Sequence, residues 1–216
     1  MLLFSEIHAS AVLLRAEAAS GLYPGAAVQA DFAGFSSVLD PNNLYSRPIG
    51  IPGAGRTGGS GIPDLVVRQG TLARVWEVKY GSALGPVAAR YQLGRYLAGA
   101  PQAPGYSAYQ SVTGAVFPQP QSLTTPSGFS MTVYSDGPGV ELYSVDGGTQ
   151  RIFAVLQAQL AQVCSNGVCA TQQAEAAGDL REVAHADGSI EISLGNTVVA
   201  TAVRTPAGTG VYVFPI

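Results

Sequence analysis

The stretch Ile62-Pro63-Asp64-Leu65-Val66-Val67-Arg68-Gln69-Gly70-Thr71-Leu72-Ala73-Arg74-Val75-Trp76-Glu77-Val78-Lys79-Tyr80 decides the fold. Two runs rich in β-branched and aromatic residues flank a glycine, which predicts strands over 65–69 and 72–80 joined as a hairpin with its turn at Gln69-Gly70. Alternation along the second strand puts Arg74, Trp76 and Val78 on one face and Val75, Glu77 and Lys79 on the other. Glu77 and Lys79, two apart, leave the same side. Asp64 opens the first strand and is expected across the hairpin near that side. Two carboxylates and one ammonium then converge at the edge of a sheet. Lys79 is the only lysine in the chain. Its ammonium is a compact point charge with three donors, a role the planar guanidinium of Arg does not copy.

Working outward, Ser5 to Ala19 reads as a helix capped by Ser5, with Ile7, Val12, Leu13 and Leu14 as its apolar face and Gly21 ending it. Residues 20–62 are loop-rich. Pro86 to Ala98 reads as a second helix with Pro in its first turn. Gln110 to Phe117 is a strand, and residues 118–128 are a loop. Phe129 to Tyr134 and Val140 to Ser144 form another hairpin. Thr149 to Val163 shows helical spacing of Ile152, Val155, Leu156, Leu160 and Val163. Short strands follow near 180–184, 189–194, 197–203 and 210–214. The class is mixed α+β, divided into a core over 1–118 and a β-α-β extension over 119–216 packed on it.

The chain has 216 residues, 47% apolar and 12% charged, enough apolar content for a packed core and against wholesale disorder. No heptad or Gly-x-y period occurs, which excludes a coiled coil and collagen. Two cysteines exclude a disulfide scaffold and a four-thiolate zinc site. Cys164 and Cys169 enclose Ser-Asn-Gly-Val, a gap that suits either a disulfide or two free thiols in a turn. No stretch reads as membrane-spanning, and Met1-Leu2-Leu3-Phe4-Ser5-Glu6 lacks the basic start of a signal peptide. Charge is uneven: −2 over 1–39, +4 over 40–104 and −5 over 105–216. A basic middle between acidic flanks is the pattern a polyanion site leaves in sequence. It predicts a basic cleft around Asp64, Glu77 and Lys79, with Glu175, Asp179, Glu182, Asp187 and Glu191 on the far side.

Two neighbouring carboxylates are what Mg²⁺ takes from a protein, water and substrate phosphate supplying the rest. A lysine beside them orients water or neutralises a phosphate. That chemistry is phosphodiester hydrolysis. Pro63-Asp64, twelve residues, then Glu77-Val78-Lys79 resembles the PD-(D/E)xK nuclease superfamily, with the restriction-endonuclease-like fold. Gln92-Leu93-Gly94-Arg95-Tyr96 on the next helix is similar to that family's QxxxY motif, Gln92 and Tyr96 sharing a helix face. The resemblance implies a core of α-β-β-β-α-β order, so a further strand is expected within 26–39. It implies Asp64 and Glu77 as metal ligands for Mg²⁺, or Mn²⁺, with Lys79 assisting the water and Gln92 and Tyr96 supporting the site. An acid from the first helix is implied as well, Glu17 ahead of Glu6. Arg56, Arg90 and Arg95 are expected to meet backbone phosphate. DNA is the expected substrate ahead of tRNA or other RNA.

In general style the chain also resembles nuclease toxin domains of bacterial polymorphic toxins. That resemblance implies secretion or injection into the cytoplasm of a target cell and a neutralising immunity protein, with no membrane role; otherwise the chain is cytoplasmic. The rival reading is a non-catalytic immunity or adaptor protein on the same fold. Gly53-Ala54-Gly55-Arg56-Thr57-Gly58 matches G-x-G-x-x-G, but Pro-rich and Gly-rich segments flank it where a dinucleotide site needs a strand and a helix. A Walker A loop is excluded because Lys79 lies elsewhere. His8 and His185 have no motif around them, so a histidine-based site has little support.

Overall fold

A computed structural model describes residues 2–32, 34–55, 58–81, 85–148, 180–184, 189–194, 197–205 and 208–212. The elements are α1 (Leu2–Leu22), β1 (Ala27–Ala30), α2 (Ser36–Leu39), β2 (Leu65–Gln69), β3 (Leu72–Tyr80), α3 (Gly85–Gly99), a 3-10 turn (Ala100–Gln102), β4 (Gln110–Thr113), β5 (Gln121–Thr124), β6 (Ser130–Gly137), β7 (Val140–Val145), β8 (Leu180–Ala184), β9 (Ser189–Leu194), β10 (Thr197–Thr205) and β11 (Gly208–Tyr212). The protein is mixed α+β, as its sequence predicts. One compact unit spans Glu6–Val145; β8 to β11 belong to a second and form an antiparallel meander in the order β11-β10-β9-β8. Among the described residues no helix is long and apolar enough to cross a membrane.

The first unit is built on one seven-stranded sheet with β3 at its centre. The sheet runs β1-β2-β3-β7-β6-β5, and β4 also pairs with β3. One edge of β3 meets β2 antiparallel, Leu65 opposite Trp76. Its other edge is shared end to end by two parallel partners: β4 alongside Leu72–Val75, then β7 alongside Glu77–Tyr80. The turn joining β2 to β3 is Gly70-Thr71, one residue later than predicted, because Gln69 still pairs with Leu72. Gly70 adopts φ +57, which a residue without Cβ reaches freely.

Alternation along β7 separates the two layers of helix. Val140 and Leu142 pack in the α3 core with Val66, Val75, Ala89, Leu93 and Tyr96. Glu141 and Tyr143 meet α1 instead, through Arg15 and His8. The sheet is thus sandwiched, α1 on one face and α3 on the other. The α1 face is lined by Ala11, Val12, Ala16 and Ala19, all fully buried, and small residues let the helix lie close to the strands. Within it lies Arg15, wholly buried, its Nε 2.7 Å from Glu141, its Nη1 donating to Gln121 at 2.8 Å and its guanidinium 4.8 Å from the Phe117 ring centre. Burial pushes Glu141 up to about 7 despite that partner.

Several expectations change. The helix begins at Leu2 and runs through Gly21, so Ser5 is no cap. The strand expected within 26–39 is β1, paired with β2. The strand expected over 110–117 stops at Thr113, and the loop over 118–128 contains β5. The boundary moves from 118 to Val145, because β5, β6 and β7 are strands of the sheet that holds β3. The helix over 149–163 and the Cys164–Cys169 turn lie outside the described residues.

Gly114 ends β4 against the Trp76 indole, where a Cβ would stand 1.7 Å from Cε2. Overpacking of this kind costs about 1–3 kcal/mol, and more against a rigid ring. Gly114→Ala is expected to lose at least about 3 kcal/mol of unfolding free energy, read as a lower urea midpoint.

Candidate active site

Asp64 lies one residue before β2 begins, where the register would set it opposite Glu77. There its side chain replaces the missing strand: Val78 N–H donates to Asp64 Oδ2 at 2.7 Å. Its backbone carbonyl accepts from Asp31 N–H at 2.9 Å, tying it to the end of β1. Glu77 N–H donates to Gly139 O at 2.9 Å on the opposite side. The strand framework therefore fixes both carboxylates from their backbones. Asp64 is 7% exposed and Glu77 2%.

Lys79 joins them. Its ammonium hydrogen-bonds Glu77 Oε1, lies 3.6 Å from Asp64 Oδ2 and donates to Val78 O at 3.2 Å. Burial alone lowers the Lys79 pKa, but Glu77 and Asp64 outweigh it and hold the group as the ammonium, above the ordinary lysine value. Burial opposes ionisation of Asp64 too, yet Lys79, His8 and the Val78 N–H keep it well below the usual carboxylate range. Glu77 moves the other way, pushed up to about 8 by burial and by the Asp64 charge. Two carboxylates that share one cation cannot both ionise cheaply, so the pair titrates as a unit.

His8 is the residue the sequence did not single out. Its Nε2 lies 3.2 Å from Asp64 Oδ1. Asp64 is ionised and only accepts, so Nε2 carries the hydrogen in this pair. The ring is 5.9 Å from that of Tyr143. The available signal was positional: His8, Val12, Arg15 and Ala19 repeat at helical spacing on the buried stripe, where an unpartnered imidazole is out of place.

The acid expected from the first helix is not at the site. Glu17 is exposed, and nine residues beyond His8 it stands about 13 Å along the axis and on the opposite side of the helix. It faces Tyr45. Glu6 is buried, but accepts from Ser127 N–H at 2.7 Å and Ser127 Oγ at 2.6 Å, so it secures the loop before β6. Gln92 and Tyr96 share a buried face of α3 as predicted, yet their polar atoms reach the loop before Asp64: Gln92 Nε2 donates to Ala54 O at 2.5 Å and Tyr96 Oη to Ile62 O at 2.8 Å. Burial raises the Tyr96 hydroxyl pKa, and the charges of Glu77 and Asp64 raise it further.

The basic middle of the chain is largely engaged within the fold. Arg47 pairs with Asp31, Arg68 stacks on Tyr106 and Tyr109, and Arg74 stacks on Tyr23. Arg90 pairs with Asp136, and Arg95 donates to Gly53 O at 2.8 Å while lying 5.9 Å from the Tyr91 ring centre. Arg90 and Arg95, expected to meet phosphate, each have a protein partner at the surface. Arg56 lies outside the described residues.

Two carboxylates with one oxygen to spare suit a hard divalent cation. Glu77 Oε2 is buried and has no hydrogen-bond partner among the described residues, and the Glu77 carboxyl stands beside Asp64. Among the described residues no group of three or more His, Cys, Asp and Glu is arranged to hold a metal. The side chains that could hold such an ion are Asp64 and Glu77. No protein-family model matches the chain, and no curated protein or solved structure is significantly similar to it.

Glu77 binds its proton more tightly in the folded chain than in the unfolded one. Its contribution to stability is complete below the ordinary Glu range and is lost as pH rises through about 8. Asp64 works in the opposite sense, with stability present above the ordinary Asp range and lost in acid. Glu77→Gln removes only the first of these. Its melting temperature is expected to fall furthest below wild type near pH 5, the gap closing or reversing by about pH 9. A gap independent of pH would contradict the raised Glu77.

Proposed function

We propose that the protein is a metal-dependent phosphodiesterase acting on nucleic acid, DNA ahead of RNA. One observation carries this reading: the buried Asp64 and Glu77 converge with the half-buried Lys79, which is ion-paired to both, just before β2 begins. Apart from the single-turn α2 between β1 and β2 and the 3-10 turn after α3, the order is α1-β1-β2-β3-α3-β4 with β4 parallel to β3, which supports a restriction-endonuclease-like core, since it follows the α-β-β-β-α-β pattern of the family the motif resembles.

Asp64 and Glu77 would hold Mg²⁺ or Mn²⁺, which supplies charge neutralisation at the phosphate and activation of water. The chain's own groups prepare that position. His8 and the Val78 N–H fix the two oxygens of Asp64. Lys79, already poised between the carboxylates, orients the attacking water and offsets negative charge as it grows on phosphorus. The framework of β1, β2, β3 and Gly139 keeps these groups in place before substrate arrives, so little reorganisation accompanies the reaction. A toxin domain restrained by an immunity protein is the biological setting that this reading favours.

The test is incubation of the protein with plasmid, genomic DNA and total RNA, in Mg²⁺ or Mn²⁺ and in EDTA. Cleavage that EDTA abolishes is expected. Asp64→Asn, Glu77→Gln and Lys79→Met should each lower the rate by about 10²–10³-fold, the range for loss of one positioned electrostatic group, with far-ultraviolet circular dichroism unchanged. Full activity of Lys79→Met, or cleavage in EDTA, would refute the mechanism. Absence of cleavage of every substrate would favour the non-catalytic binding protein.

A further inference from the structure

The segment that delivers Asp64 is a loop closed at its neck. Ile51 N–H donates to Gly61 O at 2.7 Å and Gly61 N–H donates to Ile51 O at 3.0 Å. Three side chains of α3 hold this loop from one side. Gln92 Nε2 donates to Ala54 O at 2.5 Å, Arg95 Nη2 to Gly53 O at 2.8 Å and Tyr96 Oη to Ile62 O at 2.8 Å. Positions 92, 95 and 96 are i, i+3 and i+4, one face of the helix. Contact at the neck is direct: a Cβ on Gly61 would stand 2.7 Å from Tyr96 Cε1 and equally close to the Ala54 carbonyl.

Only Pro63 separates Ile62 from Asp64, and its ring fixes the backbone φ between them. A shift of the Ile62 carbonyl therefore moves Asp64, with little slack to absorb it. The next group along is the Val78 N–H, bonded to Asp64 Oδ2 at 2.7 Å.

We propose that Gln92, Arg95 and Tyr96 are positioning residues, which aim Asp64 by gripping backbone carbonyls of the loop before it. They act through Ala54, Gly53 and Ile62 and take no part in the chemistry. The catalytic consequence rests on the reading of Asp64 as a metal ligand; the mechanical link from Tyr96 to Asp64 does not. Arg95, absent from the paired Gln-Tyr pattern as a structural element, is a third member of the grip.

Two readouts separate the link from the metal reading. Amide hydrogen exchange on the ¹⁵N-labelled full chain follows Val78, with the amides of Leu65–Gln69 as the internal reference. Tyr96→Phe keeps the ring and removes one donor, and Gln92→Met does the same with little change in volume. Each is expected to speed Val78 exchange about tenfold, the equivalent of one ordinary hydrogen bond, with the reference amides unchanged. Arg95→Ala should act in the same direction and Arg95→Lys, which keeps a donor, should restore part of the protection. Unchanged Val78 exchange, or a rise shared equally by the reference amides, would overturn the proposal, since a purely stabilising role loosens the sheet as a whole. Mn²⁺ affinity of the same proteins is the second readout, expected to weaken about tenfold in Tyr96→Phe. Wild-type Mn²⁺ affinity in Tyr96→Phe, alongside faster Val78 exchange, would refute Asp64 as the metal ligand and leave the grip standing. A wild-type protein that binds no Mn²⁺ would refute the metal reading, and Val78 exchange would still decide the grip.

Discussion

Two buried carboxylates side by side need a cation. Unit charges a few ångströms apart in a medium of low polarity repel by several kcal/mol at an effective dielectric of about 20, so Asp64 and Glu77 can share a pocket only with compensation. Lys79 supplies it here, bonded to Glu77 and 3.6 Å from Asp64. Compensation is uneven: Asp64 has Lys79, His8 and the Val78 N–H, whereas Glu77 keeps one buried oxygen without a partner among the described residues. That asymmetry drives Asp64 below and Glu77 above the ordinary range. It also leaves Glu77 holding its proton at neutral pH, a proton that a cation entering the pocket would displace.

The remaining architecture serves this pocket from both faces of the sheet. From one side α1 brings His8, its depth set by alanines and by the buried Arg15–Glu141 pair. From the other, α3 holds the loop that ends in Asp64. Between them β3 changes partner on one edge from β4 to β7, and the Gly139 carbonyl meets Glu77 N–H at that junction. The acid Asp64 stands one residue before β2 begins, so a ladder position that backbone would fill is given to a carboxylate. Strand ends are natural places for such groups, because the sheet fixes the neighbours while leaving one edge free.

Period-2 alternation made the hairpin and the shared side of Glu77 and Lys79 legible, because each depends only on neighbours along one chain segment. Asp64 followed from the same register. His8 was not legible: its role depends on how far α1 slides along the sheet, which no local pattern encodes. The same missing register placed Glu17 wrongly, since nine residues reverse the side of a helix. Gln92 and Tyr96 were found as a face, but the face said nothing of what lay opposite it. The parallel pairing of β3 with β7 joins segments some sixty residues apart, and short polar β5 carries too weak an alternation to stand out from its Pro-rich surroundings. Net charge by segment was also a poor guide to surface, because Arg68 and Arg74 spend their guanidinium groups on tyrosine rings.

The central claim is that the Asp64–Glu77 pocket accepts a divalent cation. The most direct measurement is anomalous X-ray diffraction from crystals of the full chain soaked in millimolar Mn²⁺. The account predicts a single strong anomalous peak about 2.1–2.3 Å from an Asp64 carboxylate oxygen and from Glu77 Oε2, with Lys79 turned away from Glu77. An empty pocket at that concentration, with Lys79 still bonded to Glu77, would contradict it.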